Sequence, residues 1–367
     1  MVKMLLLGGT GAMGIYLVPE LIRLGYDVFI TTRSARKSDN SKITYIQGDA
    51  HDNEFLKKIF EDKYDAVVDF MVYKTDEFRE KHELLLSNTN HYIFVSTYRV
   101  FAESNASITE NSPRLLDVSK DTEYLKTDEY ALTKARQENI LRESRYKNWT
   151  IVRPAITYSK TRFQLGTLEA DTIIVRALNS CSVVLPKEML GKKTTMTWGG
   201  DVAKMIAKLV LNPKSFCEDY NVCTSEHRTW QEVAEYYNKL IGLKVIPTNL
   251  DTYFDILGGK NYQIIYDRMY NRVMDNSKIL KTIDMQQKEI LPLFDGLRKE
   301  LSDEKSLQTI KPNYKICRKM DKITNTFLPK RIYLNEVGKN IIKRVLEKVK
   351  RTACLLTKVI NENMRTK

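Results

Sequence analysis

Apolar and polar positions along the first 160 residues alternate with two different periods. Short apolar runs predict strands at Lys3–Leu7, Asp27–Thr32, Ile43–Gln47, Ala66–Phe70, Tyr92–Ser96 and Thr150–Val152. Segments of helical period between several of these runs predict helices at Ile15–Leu24, Asn53–Phe60, Glu77–Ser87 and Asp128–Glu143. Strands that alternate with helices are typical of a parallel sheet covered by helices on both faces. We therefore expect a doubly wound α/β domain over residues 1–160.

The pattern is less regular after Arg153-Pro154, where a helix at Gln231–Leu240 and a weak strand at Tyr220–Cys223 are the clearest elements. We expect residues 161–310 to form mostly a smaller second domain, with some later segments returning to the first. The chain has 367 residues, of which 43% are hydrophobic and 29% are charged. This size and composition suit about two globular domains and exclude a disordered, collagen-like or small disulfide-stabilised protein.

A glycine-rich turn joins the first predicted strand to the first predicted helix, and Gly8, Gly11 and Gly14 follow one another in it at intervals of three residues. The first glycine permits a tight turn, the second lets a pyrophosphate approach the backbone, and the third lets helix and strand pack closely. The flanking strand and helix supply the context that a lone glycine triplet lacks. A plain glycine-rich turn is the alternative. We expect a Rossmann-type fold in which a dinucleotide is bound by Gly8, Thr10, Gly11, Ala12, Met13 and Gly14.

The end of the second predicted strand bears on the choice of dinucleotide. Residues 31–34 read Thr-Thr-Arg-Ser and include no acidic residue for the ribose 2′-hydroxyl of NAD. Arg33, with help from Ser34 or Arg36, can instead pair with the 2′-phosphate of NADP. We therefore favour NADP as the cofactor, with NAD as the alternative, and place Asp49 at the adenine edge. A solvated basic loop and a simple Gly-Asp turn stay open as alternatives.

Candidate catalytic side chains occur at two further positions. Tyr130 and Lys134 are four residues apart at the start of a predicted helix and therefore share one of its faces. A nearby ammonium group favours the phenolate form of a tyrosine and lowers its pKa toward values useful for proton transfer. Ser96 and Thr97 end an apolar strand, where hydroxyl groups face the ligand crevice of a parallel sheet. Taken alone, the Tyr–Lys spacing would equally fit a surface pair.

Together these residues resemble the extended short-chain dehydrogenase/reductase family, also called the NAD-dependent epimerase/dehydratase family. The matching pieces run in family order over about residues 3–160 and comprise Gly8/Gly11/Gly14, Asp49, Ser96-Thr97 before Val100-Phe101, Tyr130/Lys134, and Arg153-Pro154 with Tyr158. A weaker resemblance extends to about residue 300. The resemblance implies that Tyr130 is a general acid/base on a sugar hydroxyl or ketone. It also implies that Lys134 holds the nicotinamide ribose and that Thr97, beside Ser96, hydrogen-bonds the reacting oxygen.

Departures from the family pattern bear on the reaction. Sugar 4,6-dehydratases of this family carry Asp-Glu directly after the triad threonine, whereas this chain has Tyr98 and Arg99. The resemblance therefore favours an NAD(P)-dependent epimerase or ketoreductase in polysaccharide precursor synthesis. The implied substrate is a nucleotide-diphosphate sugar held by the second domain, and its candidate ligands are Arg99, Tyr158, Arg162 and Arg268. For Arg162 and Arg268, salt bridges within the protein are the alternative.

Other features bear on partners and location. A homodimer fits the resemblance, and a non-catalytic dinucleotide-binding regulator or RNA-binding protein is the alternative function. The five cysteines include no CxxC motif, and the four histidines show no metal-ligand spacing, so we expect no metal site. The chain has no run of about 18 apolar residues and no signal-peptide pattern at its start. We expect a cytoplasmic protein.

Positive charge is concentrated at the carboxyl end. Residues 311–367 contain 16 Lys/Arg and 4 Asp/Glu, whereas residues 1–310 contain 43 and 42, which argues against a broad nucleic-acid-binding face on the body. We expect residues 311–367 to form a basic helical tail, amphipathic from Leu334 to Ile360. Such a helix can dock on its own protein, pair with another subunit, or lie through residues 331–360 at the anionic inner face of a membrane. Nucleic-acid binding is the least favoured alternative.

Overall fold

The computed structural model describes residues 2–160 and 162–334. Its centre is a sheet of seven parallel strands, which are, from β1 to β7, Lys3–Leu7, Asp27–Thr32, Ile43–Gln47, Tyr64–Asp69, Thr89–Val95, Trp149–Pro154 and Glu218–Val222. Most are short runs of apolar residues, as expected for strands buried on both faces. The predicted doubly wound α/β domain is confirmed: β1, β2 and β3 have the predicted bounds, and the ends of the other four strands differ by one to three residues from those predicted.

The five longer helices that cover the sheet in the described part of the chain are, from α1 to α5, Gly14–Arg23, Asn53–Ile59, Thr75–Ser87, Tyr130–Glu143 and Gly199–Leu209. Successive side chains of a strand point to opposite faces, so Leu5 and Leu6 of β1 enter two different apolar clusters. Leu6 packs in the cluster of α1 and α5, and Leu5 packs in the cluster of α2, α3 and α4. The sheet is therefore the middle of three layers.

The strand order places the ligand crevice. The spatial order is β7-β6-β5-β4-β1-β2-β3, so the chain moves outward from β1 to β3 and then returns to the other side of β1 as β4. In open parallel sheets, ligands bind beyond the carboxyl ends of the strands where the order reverses in this way. The glycine turn after β1 and the loop after β4 lie at this edge.

The later part of the chain contributes both to this sheet and to a second apolar core. β7 pairs with β6, and α5 packs on α1, so both belong to the sheet layers. The second core is built around side chains such as Phe163, Trp230 and Leu297. Its longer helices are Ala170–Leu178, Trp230–Ile241, Leu250–Leu257 and Leu293–Leu301. Paired short strands complete it, including Val183–Pro186 beside Val245–Thr248 and Ile156–Tyr158 beside Met196–Trp198.

Smaller helices connect these parts. They are Leu115–Val118, Thr122–Lys126, Lys187–Leu190, Ser277–Thr282 and Glu304–Gln308, and a π-helical turn lies at Ile264–Arg268. Single π-turns often mark functional sites because they displace side chains from the regular helical ladder.

A last described helix, Tyr314–Thr324, is fixed to the body of the protein by Arg176. The fully buried guanidinium of Arg176 pairs with Asp321 at 2.6 Å and donates to the carbonyl oxygens of Ser182 and Cys317. Most of the predicted amphipathic segment, residues 335–360, lies outside the described residues. None of the described helices is both long and apolar enough to cross a membrane.

Candidate active site

The glycine turn after β1 is tight at its start and at its end. Gly8 has φ +72°, a conformation that favours glycine, and its N–H donates to the Thr31 hydroxyl at 3.0 Å. A Cβ on Gly14 would lie 1.9 Å from the carbonyl oxygen of Gly9, so only glycine fits there. A Cβ on Gly11 would meet open space instead. The turn thus leaves its middle accessible, as a bound pyrophosphate requires.

A cavity of about 320 Å³, here called the turn cavity, opens beside this turn. Gly8, Thr10 and Gly11 line it together with Arg33 and Asp49, two residues that follow different strands. Arg33 is exposed at the cavity wall. The structure thus brings most of the predicted dinucleotide ligands together.

Ala12 and Met13 lie apart from the turn cavity. The carbonyl of Ala12 faces Gly199 at the start of α5, where a Cβ would approach it to 3.0 Å. Met13 lines a second cavity of about 350 Å³, here called the tyrosine cavity. Thr97, Tyr130 and Lys134 line that second cavity as well.

Tyr130 is half-buried at the first position of α4. The preceding residue, Glu129, caps the helix by accepting a hydrogen bond from the Ala131 N–H at 2.7 Å. Burial raises the pKa of Tyr130, whereas Arg99, Arg162 and a hydrogen bond with Thr97 act to lower it. Arg99 lies over the phenol ring, with its Cζ 5.3 Å from the ring centroid. Among the neighbouring charges, Arg99 therefore stabilises the phenolate form of Tyr130 most strongly.

Lys134 lies one turn further along α4 and is almost completely buried. Its Nζ donates to the carbonyl oxygen of Met71 at 3.0 Å and lies 4.4 Å from the centroid of the Phe94 ring. Burial lowers the pKa of Lys134 to about 8, although Asp69 and Glu138 oppose the shift. Because Met71 lines the turn cavity, this hydrogen bond places the ammonium group between the two cavities.

The two hydroxyl residues after β5 have different surroundings. The Ser96 hydroxyl donates to Glu138 at 2.7 Å, inside a fully buried ion pair between Glu138 and Arg153. Thr97 accepts a hydrogen bond from the Arg99 N–H at 3.3 Å, which fixes the short turn at Tyr98–Val100. Ser96 thus stabilises the cavity wall, and Thr97 is the hydroxyl that acts to lower the pKa of Tyr130.

Arg268 lines the tyrosine cavity, but its guanidinium is largely used within the protein. Its Nε donates to the carbonyl oxygen of Gly166 at 2.7 Å, and its Nη1 donates to the Tyr98 hydroxyl at 2.8 Å. Asp267, the residue before Arg268 in the π-turn, pairs with Arg268 and with Arg272. Sequence analysis missed Asp267 and Arg272; a carboxylate followed by arginines one and five residues later was the available signal.

Of the other predicted sugar ligands, two line the tyrosine cavity and one does not. Arg99 and Arg162 line the tyrosine cavity, and Arg99 also pairs with Glu129. Tyr158 does not line it: the side chain is fully buried, and a Cβ on Gly296 would lie 1.8 Å from its hydroxyl oxygen. The structure therefore brings three of the four candidates to the cavity.

Sequence analysis also missed Asp69, the last residue of β4. Its fully buried carboxylate accepts hydrogen bonds from the Tyr92 hydroxyl at 2.7 Å and from the Met71 N–H at 2.8 Å. Burial raises the pKa of Asp69, and Lys134 acts to lower it. A carboxylate at the carboxyl end of a strand beside the crevice was a usable signal. Among the described residues, no cluster of three or more His, Cys, Asp or Glu side chains fits a metal ion.

Comparisons with known proteins identify the family and the fold of this chain. The model of the NAD dependent epimerase/dehydratase family matches residues 4–223. UDP-glucose 4-epimerase from Lactobacillus helveticus is 27% identical over 173 residues, which cover 44% of this chain and 51% of that protein. The match thus spans about half the length of this curated relative.

Two solved structures illustrate the similarity in fold. The dTDP-glucose 4,6-dehydratase of Bacillus anthracis str. Ames, in complex with NAD, has a TM-score of 0.66 at 15% identity, covering 85% of this chain and 100% of that chain. The UDP-glucuronic acid 4-epimerase of Bacillus cereus, in complex with UDP-glucuronic acid and NAD, has a TM-score of 0.63 at 16% identity. That match covers 83% of this chain and 100% of the other. At such identities, these structures establish the fold alone.

Proposed function

The chain belongs to the NAD dependent epimerase/dehydratase family, and on this basis we propose that it is an NAD(P)-dependent epimerase or ketoreductase acting on a nucleotide-diphosphate sugar. One observation carries the proposal. Thr97, Tyr130 and Lys134 line a single cavity beside the glycine turn, at the edge where a parallel sheet binds ligands. The curated relative, a UDP-glucose 4-epimerase, supports a sugar nucleotide as substrate.

The turn cavity fits the adenosine and pyrophosphate part of a dinucleotide. Gly8, Thr10 and Gly11 would hold the pyrophosphate, and Asp49 the adenine edge. Arg33 supports NADP because its guanidinium is exposed at the cavity and offers paired donors to a 2′-phosphate. A bound nicotinamide dinucleotide supplies the hydride acceptor and donor, and the protein supplies orientation and proton transfer.

Tyr130 would move a proton to or from a hydroxyl or keto oxygen of the sugar. Arg99 and Arg162 favour its phenolate, and Thr97 hydrogen-bonds it, so these groups offset the unfavourable effect of burial. Lys134 would hold the ribose beside the reacting carbon, since its ammonium lies between the two cavities. The hydroxyl of Ser96, bound to Glu138, would keep the wall in place.

The charges around the tyrosine cavity favour an epimerase or ketoreductase over a dehydratase. Elimination of water needs a free acid and base near the sugar. No carboxylate is present among the described residues that line this cavity. Two carboxylates behind the wall, Glu129 and Asp267, are both paired with arginines.

Tyr130→Phe tests the proposal directly. Purified protein is assayed with UDP- and dTDP-sugars, each with NAD, NADH, NADP and NADPH. Formation of a sugar isomer without net cofactor change identifies an epimerase, and loss of NADPH absorbance identifies a reductase. Tyr130→Phe should lower turnover by about 100-fold or more while calorimetry shows retained cofactor binding.

Tyr146→Phe, at a partly exposed tyrosine outside both cavities, is the matched control. Its turnover should equal that of the wild type. Equal turnover of Tyr130→Phe and the wild type would contradict the role of Tyr130. Failure of all four dinucleotides to bind would contradict the proposal that the protein is an NAD(P)-dependent enzyme.

A further inference from the structure

Residues 311–334 form a strongly basic surface, here called the C-terminal basic surface. They contain seven lysines and arginines and one acidic residue, Asp321. Asp321 is buried and pairs with Arg176, so its charge does not balance the cations outside. Residues 311–334 therefore contribute no exposed carboxylate to this surface.

The helix Tyr314–Thr324 separates its cations from its buried side. Cys317, Met320, Asp321 and Thr324 face the protein. At about 100° per residue, the four basic residues fall within an arc of about 100° on the remaining surface, and they are Lys315, Arg318, Lys319 and Lys322. Lys319 donates a hydrogen bond to the carbonyl oxygen of Asp255, while Lys315 and Lys322 are exposed.

Large apolar side chains are exposed in the same segment of the chain. Phe327 is 62% exposed, Leu334 67% and Ile323 41%. Phe327 and Leu334 are the two most exposed large hydrophobic residues of the part of the chain that the structure describes. Apolar exposure next to a block of like charge indicates an interaction site, because neither feature stabilises the folded chain by itself.

We propose that the C-terminal basic surface binds anionic phospholipid bilayers. Its lysines complement lipid phosphates, and Phe327 and Leu334 enter the boundary between headgroups and acyl chains. A nucleic acid would also attract the lysines, but it gains little from an exposed leucine and isoleucine. The combination of both features favours a lipid surface. This binding is independent of the reaction proposed above.

The test is co-sedimentation of the full chain with vesicles of phosphatidylcholine, alone or with about one third phosphatidylglycerol. Binding should occur only with the anionic vesicles and should fall as salt is added. Lys315→Glu/Lys322→Glu should weaken this binding by about tenfold or more, and Phe327→Ser should weaken it several-fold.

Matched controls have the same chemistry at other places. Lys58→Glu/Lys63→Glu reverses two exposed lysines at and just after α2, and Val118→Ser removes an apolar side chain that is 50% exposed. Both controls should bind vesicles like the wild type, and thermal unfolding should show all variants folded.

Three results would overturn the proposal. One is absence of binding to anionic vesicles, and the second is binding that the variants at 315, 322 and 327 leave unchanged, since contact would then lie elsewhere. The third is binding of duplex DNA or RNA, lost in the same variants, when vesicles are not bound.

Discussion

Lys134 is a residue on which burial and neighbouring charges act in opposite directions. Its side chain lies in the wall between the two cavities, where burial disfavours the ammonium form. Asp69 and Glu138 favour that form, yet burial prevails and the pKa falls to about 8. A lysine with this pKa exchanges protons close to neutral pH, which suits a group that supports proton transfer.

The pKa of Lys134 predicts a pH dependence of stability. Its folded-state value of about 8 lies below the ordinary 10.5, so the unfolded chain binds more protons between these values. Its contribution to the free energy of unfolding should therefore rise with pH from about 8 to about 10.5. Lys134→Met removes it, so urea denaturation at about pH 7 and about pH 10 should show a pH-dependent gain in the wild type relative to the variant. Parallel pH profiles would contradict the burial argument.

Arg33 predicts a selective effect on cofactor affinity. If its guanidinium binds a 2′-phosphate, Arg33→Ala should weaken NADP binding by about 10- to 100-fold and leave NAD binding nearly unchanged. Calorimetric titration measures both affinities. Arg36→Ala, at an exposed arginine that does not line the turn cavity, serves as the control and should have a smaller effect. Equal losses of affinity for both dinucleotides would show that Arg33 attracts the cofactor by its charge alone and does not bind the 2′-phosphate.

At the scale of elements, helices are fixed by buried polar groups as well as by apolar faces. The helix Tyr314–Thr324 places Cys317 and Met320 against the body and also depends on Arg176. The guanidinium of Arg176 has no exposure and donates to side chains and carbonyls on both sides of the helix end. The position of the C-terminal basic surface therefore depends on one side chain of an earlier helix.

Arg176→Met should destabilise the protein by about 3 to 5 kcal/mol, because the Asp321 carboxylate would stay buried without its partner. Urea denaturation measures this loss, and limited proteolysis should show faster cleavage within residues 311–334. Adding Asp321→Asn should recover part of the stability by removing the charge. Arg298→Met, at an exposed pair with Asp295, should change stability by less than about 1 kcal/mol. Similar losses of stability in the two arginine variants would contradict this role of Arg176.

At the scale of the whole molecule, His91 links the sheet to the loop that follows α5. The Leu211 N–H donates to its Nδ1 at 2.9 Å, so Nε2 carries the proton and donates to the Thr150 hydroxyl at 2.7 Å. That hydroxyl donates in turn to the carbonyl oxygen of Ser215. The chain of hydrogen bonds needs a neutral imidazole, and burial lowers the pKa of His91 to about 4.

His91 therefore predicts a loss of stability in acid. Between pH 6.5 and about 4 the unfolded chain binds the proton and the folded chain does not, so stability falls as pH is lowered through this window. The full effect is on the order of 3 kcal/mol. His91→Gln should be less stable at pH 7 but lose less on acidification, as measured by urea denaturation. His82→Gln, at a partly exposed histidine, should follow the wild type; an identical acid response in His91→Gln would refute this prediction.

The sequence by itself determined the layers of this protein and the place of its dinucleotide turn. Strand and helix periods are local, and the requirement for glycine at Gly8 and Gly14 follows from backbone sterics within a few residues. For the same reason, the helical spacing of Tyr130 and Lys134 was enough to put both on one face of α4. Expectations of this kind need no knowledge of distant contacts.

Only the tertiary structure decided how the longer polar side chains are used. Arg268, Tyr158 and Ser96 each carry suitable chemistry, but a buried polar group binds the nearest partner in space, whatever its place in the chain. Arg268 meets Gly166 and Tyr98, Tyr158 packs on Gly296, and Ser96 meets Glu138. The same physical reason places Arg99 over Tyr130 and hides the charge of Asp321, since charges are compensated across elements that only folding brings together.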